Sequence, residues 1–148
     1  MLAIRIVFGV VLATLLALPI RAEPGDALVG IWINSDSDGL IQLERRGERY
    51  FGKIVGATDG SQDTARKDRN NPDPALRNRP LLGMTMMGEY RFDGKRWSDG
   101  WIYDPDNGKR YRSRLTLRSD GRLEVRGFVG APLFGRTQIW ARQTESNQ

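Results

Sequence analysis

The groups able to do chemistry in this chain are carboxylates, arginines, lysines, hydroxyls and amides, because it contains neither histidine nor cysteine. That excludes Ser-His-Asp and Cys-His nucleophiles, thiolate chemistry, and zinc, haem or copper sites built on imidazole or thiolate. The densest polar set lies between Lys67 and Gly83, where Asp68, Asn70, Asn71, Asp73, Arg77 and Arg79 are interrupted by Pro72, Pro74 and Pro80. Oxygens of Asp68, Asn70, Asn71 and Asp73 could ligate calcium, but Pro72 falls where a ligand would, and the central glycine of an EF-hand is missing. Asp and Asn more simply close turns onto their own backbone, so no metal and no cofactor is expected. Asp68 and Asp73, or either with Asp104, could form an acid–base pair, yet a glycosidase-type pair needs a set separation that nothing in this spacing imposes. Salt bridges to Arg77 and Arg79 explain the same carboxylates more economically. The two arginines could themselves fork onto a carboxylate or phosphate. The expected ligand-binding set is therefore Asp68, Asn71, Asp73, Arg77, Arg79, Tyr103 and Asp104.

These residues need a frame. Three prolines deny the 67–83 stretch a strand ladder and push the residue before each proline away from helical geometry, so it reads as a long loop. Loops of this length in compact domains are functional or disordered, and the mixed composition with its apolar exit, Leu81-Leu82, argues for order. Around it the chain alternates apolar and polar residues in short runs, predicting strands over 30–34, 40–45, 50–57, 84–92, 97–103, 110–118, 123–129 and 137–143. Gly-containing turns such as Asp93-Gly94, Asn107-Gly108 and Asp120-Gly121 join most of them as hairpins. The fold class is all-β, a single eight-stranded antiparallel up-and-down barrel, which removes sheet edges and can leave room for one small ligand.

Two resemblances bear on this frame. Gly30-Ile31-Trp32 at the first strand resembles the Gly-x-Trp of the lipocalins and their calycin relatives, and Arg142, just past Trp140, resembles the arginine packed over that tryptophan. This implies structural roles for Gly30, Trp32, Trp140 and Arg142, with Trp32 and Arg142 neighbours from opposite ends of the barrel sequence. Asn71-Pro72-Asp73-Pro74-Ala75-Leu76-Arg77-Asn78-Arg79-Pro80-Leu81-Leu82-Gly83, followed by Ile102-Tyr103-Asp104-Pro105, Arg126-Gly127, Gly135-Arg136 and Trp140-Ala141-Arg142, is similar to the bacterial domain-of-unknown-function 2147 family. That resemblance implies a small exported bacterial protein and no particular activity.

The start of the chain agrees with export. Arg5, the apolar run 6–20 and Ala22 have the form of a secretory signal peptide over residues 1–22, leaving one domain over 23–148 in the periplasm or outside the cell. The run is short for a membrane span, so no stable membrane insertion is expected after cleavage. One domain of this size can bury a core without disulfides. Losing Arg5 and Arg21 and no acid leaves the mature chain only mildly basic, but 19 arginines stand against four lysines, favouring bidentate recognition of carboxylate or phosphate. No nucleic-acid motif appears, and nucleic acid is not expected as a partner. Arg110, Arg112, Arg114 and Arg118 share one face of a strand and read as its solvated face. Met84, Met86 and Met87 read as core filler, Phe128 as an exposed aromatic, and Trp97, Trp101, Tyr90 and Tyr103 as core closure or cavity lining. The resulting expectation is a monomer that binds a small ligand in or at the mouth of the barrel. An envelope interaction module with a filled barrel is the second reading, and a carboxylate-based hydrolase the third.

Overall fold

The computed structural model describes residues 22–61 and 65–144; residues 1–21, which hold nearly all of the expected signal peptide, lie outside the described residues. Eight strands, β1 (Gly30–Ile33), β2 (Gly39–Arg46), β3 (Arg49–Ala57), β4 (Thr85–Phe92), β5 (Trp97–Asp104), β6 (Lys109–Leu117), β7 (Leu123–Phe128) and β8 (Gly135–Arg142), follow one another around a closed antiparallel barrel. β1 closes onto β8 through the pairs Trp32–Arg142 and Ile33–Ala141. Each expected strand is present, with ends differing by one or two residues. Short 3₁₀ turns at Pro24–Leu28, Pro74–Leu76 and Pro132–Phe134 are additional, each with its proline at a position where the missing N–H is no loss.

Alternation along the strands sends Trp32, Ile41, Leu43, Tyr50, Met87, Tyr90, Trp97, Leu115, Leu123, Val125 and Trp140 into one core, joined by Leu28 from the first 3₁₀ turn. The three tryptophans are at most 2% exposed. They crowd one end of the barrel, and Pro24–Leu28 closes that end as a plug. Its backbone carbonyls collect side-chain donors from the wall: Trp97 Nε1 to Gly25 at 3.1 Å, Trp32 Nε1 to Leu28 at 2.9 Å, and Arg142 Nη1 to Val29 at 3.0 Å, with Arg142 Nη2 on Ala27. Asp26 is held by the Tyr50 hydroxyl at 3.1 Å and by Arg45 Nε at 2.8 Å. The Arg142 guanidinium lies 4.3 Å from the Trp32 ring centre. Gly30 makes the approach possible: its φ is +144°, and a Cβ there would come within 2.6 Å of Arg142 Nη1. The Gly30-Ile31-Trp32 and Arg142 expectation is thus met in geometry.

Of the other aromatics, Tyr90 and Trp97 close the core, whereas Trp101 and Tyr103 belong to a second, smaller cluster with Leu81, Met84, Met86 and Ile54. Met84 and Met87 are buried fillers. Arg110, Arg112 and Arg118 are exposed and Arg114 is half-buried, opposite in phase to buried Ser113 and Leu115. Phe128 corrects the sequence reading: it is out of phase with Val125, yet only 6% exposed. Arg112 stacks 5.5 Å from its ring centre, and the Pro132–Phe134 turn that follows packs back onto β7.

Candidate functional site

At the end opposite the plug, the loops after β1, β3, β5 and β7 ring an opening. The longest of them, between β3 and β4, carries most of the expected site. It is ordered by one buried carboxylate. Asp68 is fully buried and receives the Tyr103 hydroxyl on Oδ1 at 2.5 Å, Asn71 Nδ2 on Oδ2 at 2.7 Å, and Arg79 through Nε at 2.9 Å and Nη2 at 2.8 Å. Burial by itself would raise the Asp68 pKa, but the hydrogen bonds from Tyr103, Asn71 and Arg79, with the Arg79 charge, outweigh it and hold the carboxyl below its ordinary value. The Tyr103 hydroxyl is pushed up to about 12, first by burial and then by that carboxylate. The backbone adds Asp68 N–H to the Arg79 carbonyl at 3.1 Å and Leu81 N–H to the Arg66 carbonyl at 2.9 Å, tying the two limbs of the loop together.

The remaining loop groups are spent on turns and docking. Asn71 Oδ1 accepts the Asp73 N–H, and Asp73 Oδ1 caps the 3₁₀ turn by accepting the Ala75 N–H. Arg77 Nε donates to the Asn71 carbonyl at 2.8 Å. Asn70 Nδ2 reaches the Pro105 and Asp106 carbonyls in the β5–β6 turn at 3.1 and 2.9 Å. A Cβ at Gly108 would fall 1.9 Å from the Asn70 carbonyl oxygen, so only glycine, here at φ +70°, admits the loop against that turn. Asp68, Asn71, Arg79 and Tyr103 therefore come together as a saturated knot. In it the Arg79 fork is occupied by Asp68, leaving no Arg77–Arg79 pair facing a common anion. Asp73 and Arg77 lie exposed on the loop, apart from the knot. Among the described residues no three carboxylates gather to hold a metal ion.

Beside the knot the barrel opens into a cavity of about 460 Å³. Ile102, Tyr111, Val125, Phe128, Val129 and Phe134 give it apolar walls; Tyr103, Asp104, Asn107, Arg136 and Gln138 supply polar atoms at its rim and side. Asp104 and Gln138 also border an adjoining recess of about 170 Å³ between the β1–β2 loop and Leu81-Leu82. The cavity exists because an inward-facing position of β7 is glycine: Gly127 follows Leu123 and Val125 in phase, and a Cβ there would lie 3.5 Å from Ile102 Cγ2, in ordinary contact. Asn107 Nδ2 donates to the Tyr111 hydroxyl at 2.9 Å, and Trp140 Nε1 donates to Gln138 Oε1 at 2.9 Å. The side chain of Arg136, opposite Gly127 in the β7–β8 pairing, forms no hydrogen bond or ion pair among the described residues. Tyr103 and Asp104 are the expected site residues that border this cavity. Gly127 and Arg136 entered the sequence reading only through the family resemblance and not as site residues, although a glycine interrupting the apolar phase of β7 signals missing volume inside a barrel.

A family model described as an uncharacterized protein conserved in bacteria (DUF2147) matches residues 30–142. The solved structure of protein HP1028 from Helicobacter pylori, described as belonging to the lipocalin family, is similar to this chain with a TM-score of 0.72 and 25% identity, over 80% of this chain and 84% of that one. Among curated proteins nothing matches. The matched span contains all eight strands, the knot and the cavity, and the chain belongs to the DUF2147 family of bacterial proteins, here with a lipocalin-like barrel.

Proposed function

We propose that this protein binds a small amphipathic anion in the open end of its barrel. The observation that carries the reading is the cavity of about 460 Å³ with apolar walls and one arginine, Arg136, that has no partner of its own. Pockets of some 300 to 1,000 Å³ lined mainly by apolar side chains with a few placed polar groups are the usual form of small-molecule sites. A carboxylate, sulfonate or phosphate at Arg136 would gain charge-assisted bonds while an apolar body lies against Ile102, Val125 and Phe134. Tyr103 and Asp104 border the site, and Asp68, Asn71 and Arg79 serve it by fixing the loop that frames it; Asp73 and Arg77 do not line it.

The fluorescent amphipathic anion anilinonaphthalene sulfonate tests this directly. Its emission should rise on mixing with the folded protein and fall on Gly127→Leu, whose side chain extends into the cavity from a Cβ in ordinary contact with Ile102. Emission unchanged by Gly127→Leu would overturn the reading. Native mass spectrometry of protein isolated from its own cell envelope should reveal a retained small molecule, lost in the same variant.

We further propose that the site works outside the cytoplasm, on the strength of Arg5, the apolar run 6–20 and Ala22. N-terminal sequencing of the protein from the periplasm should begin at Glu23, and a start at Met1 would overturn export with cleavage.

A further inference from the structure

We propose that the β7–β8 loop is a docking tip for an anionic lipid surface, presenting the mouth of the cavity to the bilayer. The loop exposes three large apolar side chains within six residues: Val129 is 70% exposed, Leu133 79% and Phe134 77%. Single exposed apolar residues are ordinary on a monomer, whereas a contiguous group on a held loop marks an interaction site. This loop is held. Arg126 donates from Nε to the Pro132 carbonyl at 2.6 Å, from Nη2 to the Leu133 carbonyl at 3.2 Å, and from Nη1 to the Thr137 hydroxyl at 2.5 Å. Arg112 Nη1 donates to the Gly130 carbonyl at 3.3 Å. The backbone is thus fastened to the barrel wall while Leu133 and Phe134 remain in solvent, which places the apolar groups without a conformational change on docking.

The charge around the tip selects the partner. Arg110, Arg112, Arg126 and Arg136 surround it, and among the described residues none of the four forms an ion pair. Arg110 lies 3.6 Å from the Trp101 ring centre, a cation on an aromatic face at the wall. The stretches 109–117 and 125–137 contain no acid. The acids near the tip are Asp104, beside the cavity, and Asp93 and Asp99, which line a surface groove with Arg112, Phe128 and Pro132 and are matched there by Lys95, Arg96 and Arg114. Apolar side chains flanked by guanidinium groups whose charge no carboxylate neutralises in an ion pair fit a layer whose surface is anionic and whose interior is apolar. An acidic protein surface would satisfy the arginines but would leave Leu133 and Phe134 without a deep apolar medium. Val129 and Phe134 also line the cavity, so a docked barrel would open toward the lipid. Docking itself does not depend on the cavity being occupied.

The test is co-sedimentation with sucrose-loaded vesicles, using the chain from Ala22 onward. That chain retains every strand and lacks the apolar run 6–20, which would bind lipid by itself. Vesicles of phosphatidylglycerol and phosphatidylcholine in equal parts should bind the protein, and pure phosphatidylcholine should bind it on the order of tenfold more weakly. Leu133→Ser with Phe134→Ser should weaken binding to the anionic vesicles by on the order of tenfold or more, with an unchanged melting curve because both side chains are exposed. Arg136→Glu should reduce binding and its salt dependence together. The proposal is overturned if anionic vesicles bind no protein at low salt or if the double variant binds as well as the parent. It is also overturned if light scattering shows a dimer that the double variant abolishes, which would assign the tip to a second copy of the chain. Gly127→Leu should leave vesicle binding intact while abolishing anilinonaphthalene sulfonate binding, so loss of the cavity function and loss of docking are read separately.

Discussion

The two ends of the barrel use similar residue types to opposite purposes. At the plugged end, arginine and tryptophan are consumed: Arg142 is stacked on Trp32 and donates to the Ala27 carbonyl of the 3₁₀ turn and to the Val29 carbonyl just after it, and the Trp32 and Trp97 indole N–H groups are bonded to the same turn. At the open end the Arg136 side chain has no partner among the described residues, Phe134 is in solvent, and glycine stands where the core alternation would place a large side chain. Buried polar groups must be paired and large core residues must fill space, so the first end is built for stability. The second forgoes both, as the proposed ligand site requires. The Asp68 knot stands between these extremes: it lies at the open end but is built like the closed one.

Substitution should separate the two ends by the size of its effect on stability. Trp140→Ala, at 1% exposure in the plugged end, should cost about 3 to 5 kcal/mol, combining lost burial with a cavity too enclosed to collapse. Denaturant unfolding of the variant measures this. A loss under about 1 kcal/mol would mean that the plugged end is no more tightly packed than the mouth.

The knot should come next. Tyr103→Phe removes the donor to Asp68 Oδ1 and leaves a buried carboxylate short of one bond, for a loss of about 1.5 to 3 kcal/mol. It also has a pH signature. The folded Asp68 carboxyl lies below its unfolded value, so its contribution is complete above the unfolded pKa near 4 and is lost as pH falls through the folded value. Asp26 in the plug is lowered as well: burial raises it, while the Glu23 backbone, the Tyr50 hydroxyl and Arg45 together more than compensate. Stability should therefore decline below about pH 4, and in Tyr103→Phe that decline should start at the same pH but be smaller, because the folded Asp68 carboxyl moves back toward its unfolded value. A pH titration of the melting temperature that is superimposable on the parent's would show that Tyr103 does not hold Asp68 in its charged form.

How much of this was legible in the sequence follows the same division. The eight strands and their order were readable because alternation has a period and the hairpin turns carry glycine. The Trp32–Arg142 contact was readable because a motif linked two positions that no local pattern connects. The knot was half visible: the residue types were evident, but a proline-interrupted loop has no periodicity, so nothing indicated that Asp68 rather than Asp73 is buried. The same gap produced an expected clamp of Arg77 with Arg79, where the fold gives Arg79 to Asp68 and Arg77 to a backbone carbonyl. Tyr103 was placed in the expected binding set, but whether it lines a cavity or closes the core stayed open, because its face of β5 depends on a local irregularity, in which Asp99 has a φ of +62° and the pairing register shifts between Trp97 and Gly100. Phe128 was misread because alternation reports which face a residue takes, and not what later folds over that face.

Arg142→Ala should have a smaller effect than loss of a core tryptophan. A guanidinium on an indole face contributes about 0.5 to 2 kcal/mol, and its bonds to Ala27 and Val29 are made by a side chain still partly in water. A total loss of about 1 to 3 kcal/mol is expected in denaturant unfolding. Arg142→Lys should recover only part of it, because an ammonium cannot stack and fork at once. Full recovery by lysine would mean that only the positive charge matters at the plug.

The smallest effect on stability should come from Arg136→Ala, and it sharpens the contrast most. The Arg136 side chain is exposed, makes no hydrogen bond or ion pair among the described residues and lies opposite Gly127, so nothing described in the fold relies on its charge. Surface changes of this kind stay within about 0.5 kcal/mol, and the melting temperature should barely move. Binding should respond differently. If Arg136 is the cation of the cavity, its removal costs an anionic ligand a charge-assisted bond, about 1.5 to 3 kcal/mol, or roughly ten- to a hundredfold in dissociation constant. A neutral ligand of the same shape should be unaffected. Measuring anilinonaphthalene sulfonate and its uncharged anilinonaphthalene parent side by side separates charge from shape. If both weaken equally, Arg136 only shapes the mouth; if neither weakens, the unpaired arginine has no part in the cavity. If Arg142→Ala and Arg136→Ala destabilised the protein alike, the division of the barrel into a stabilising end and a receiving end would fail with them.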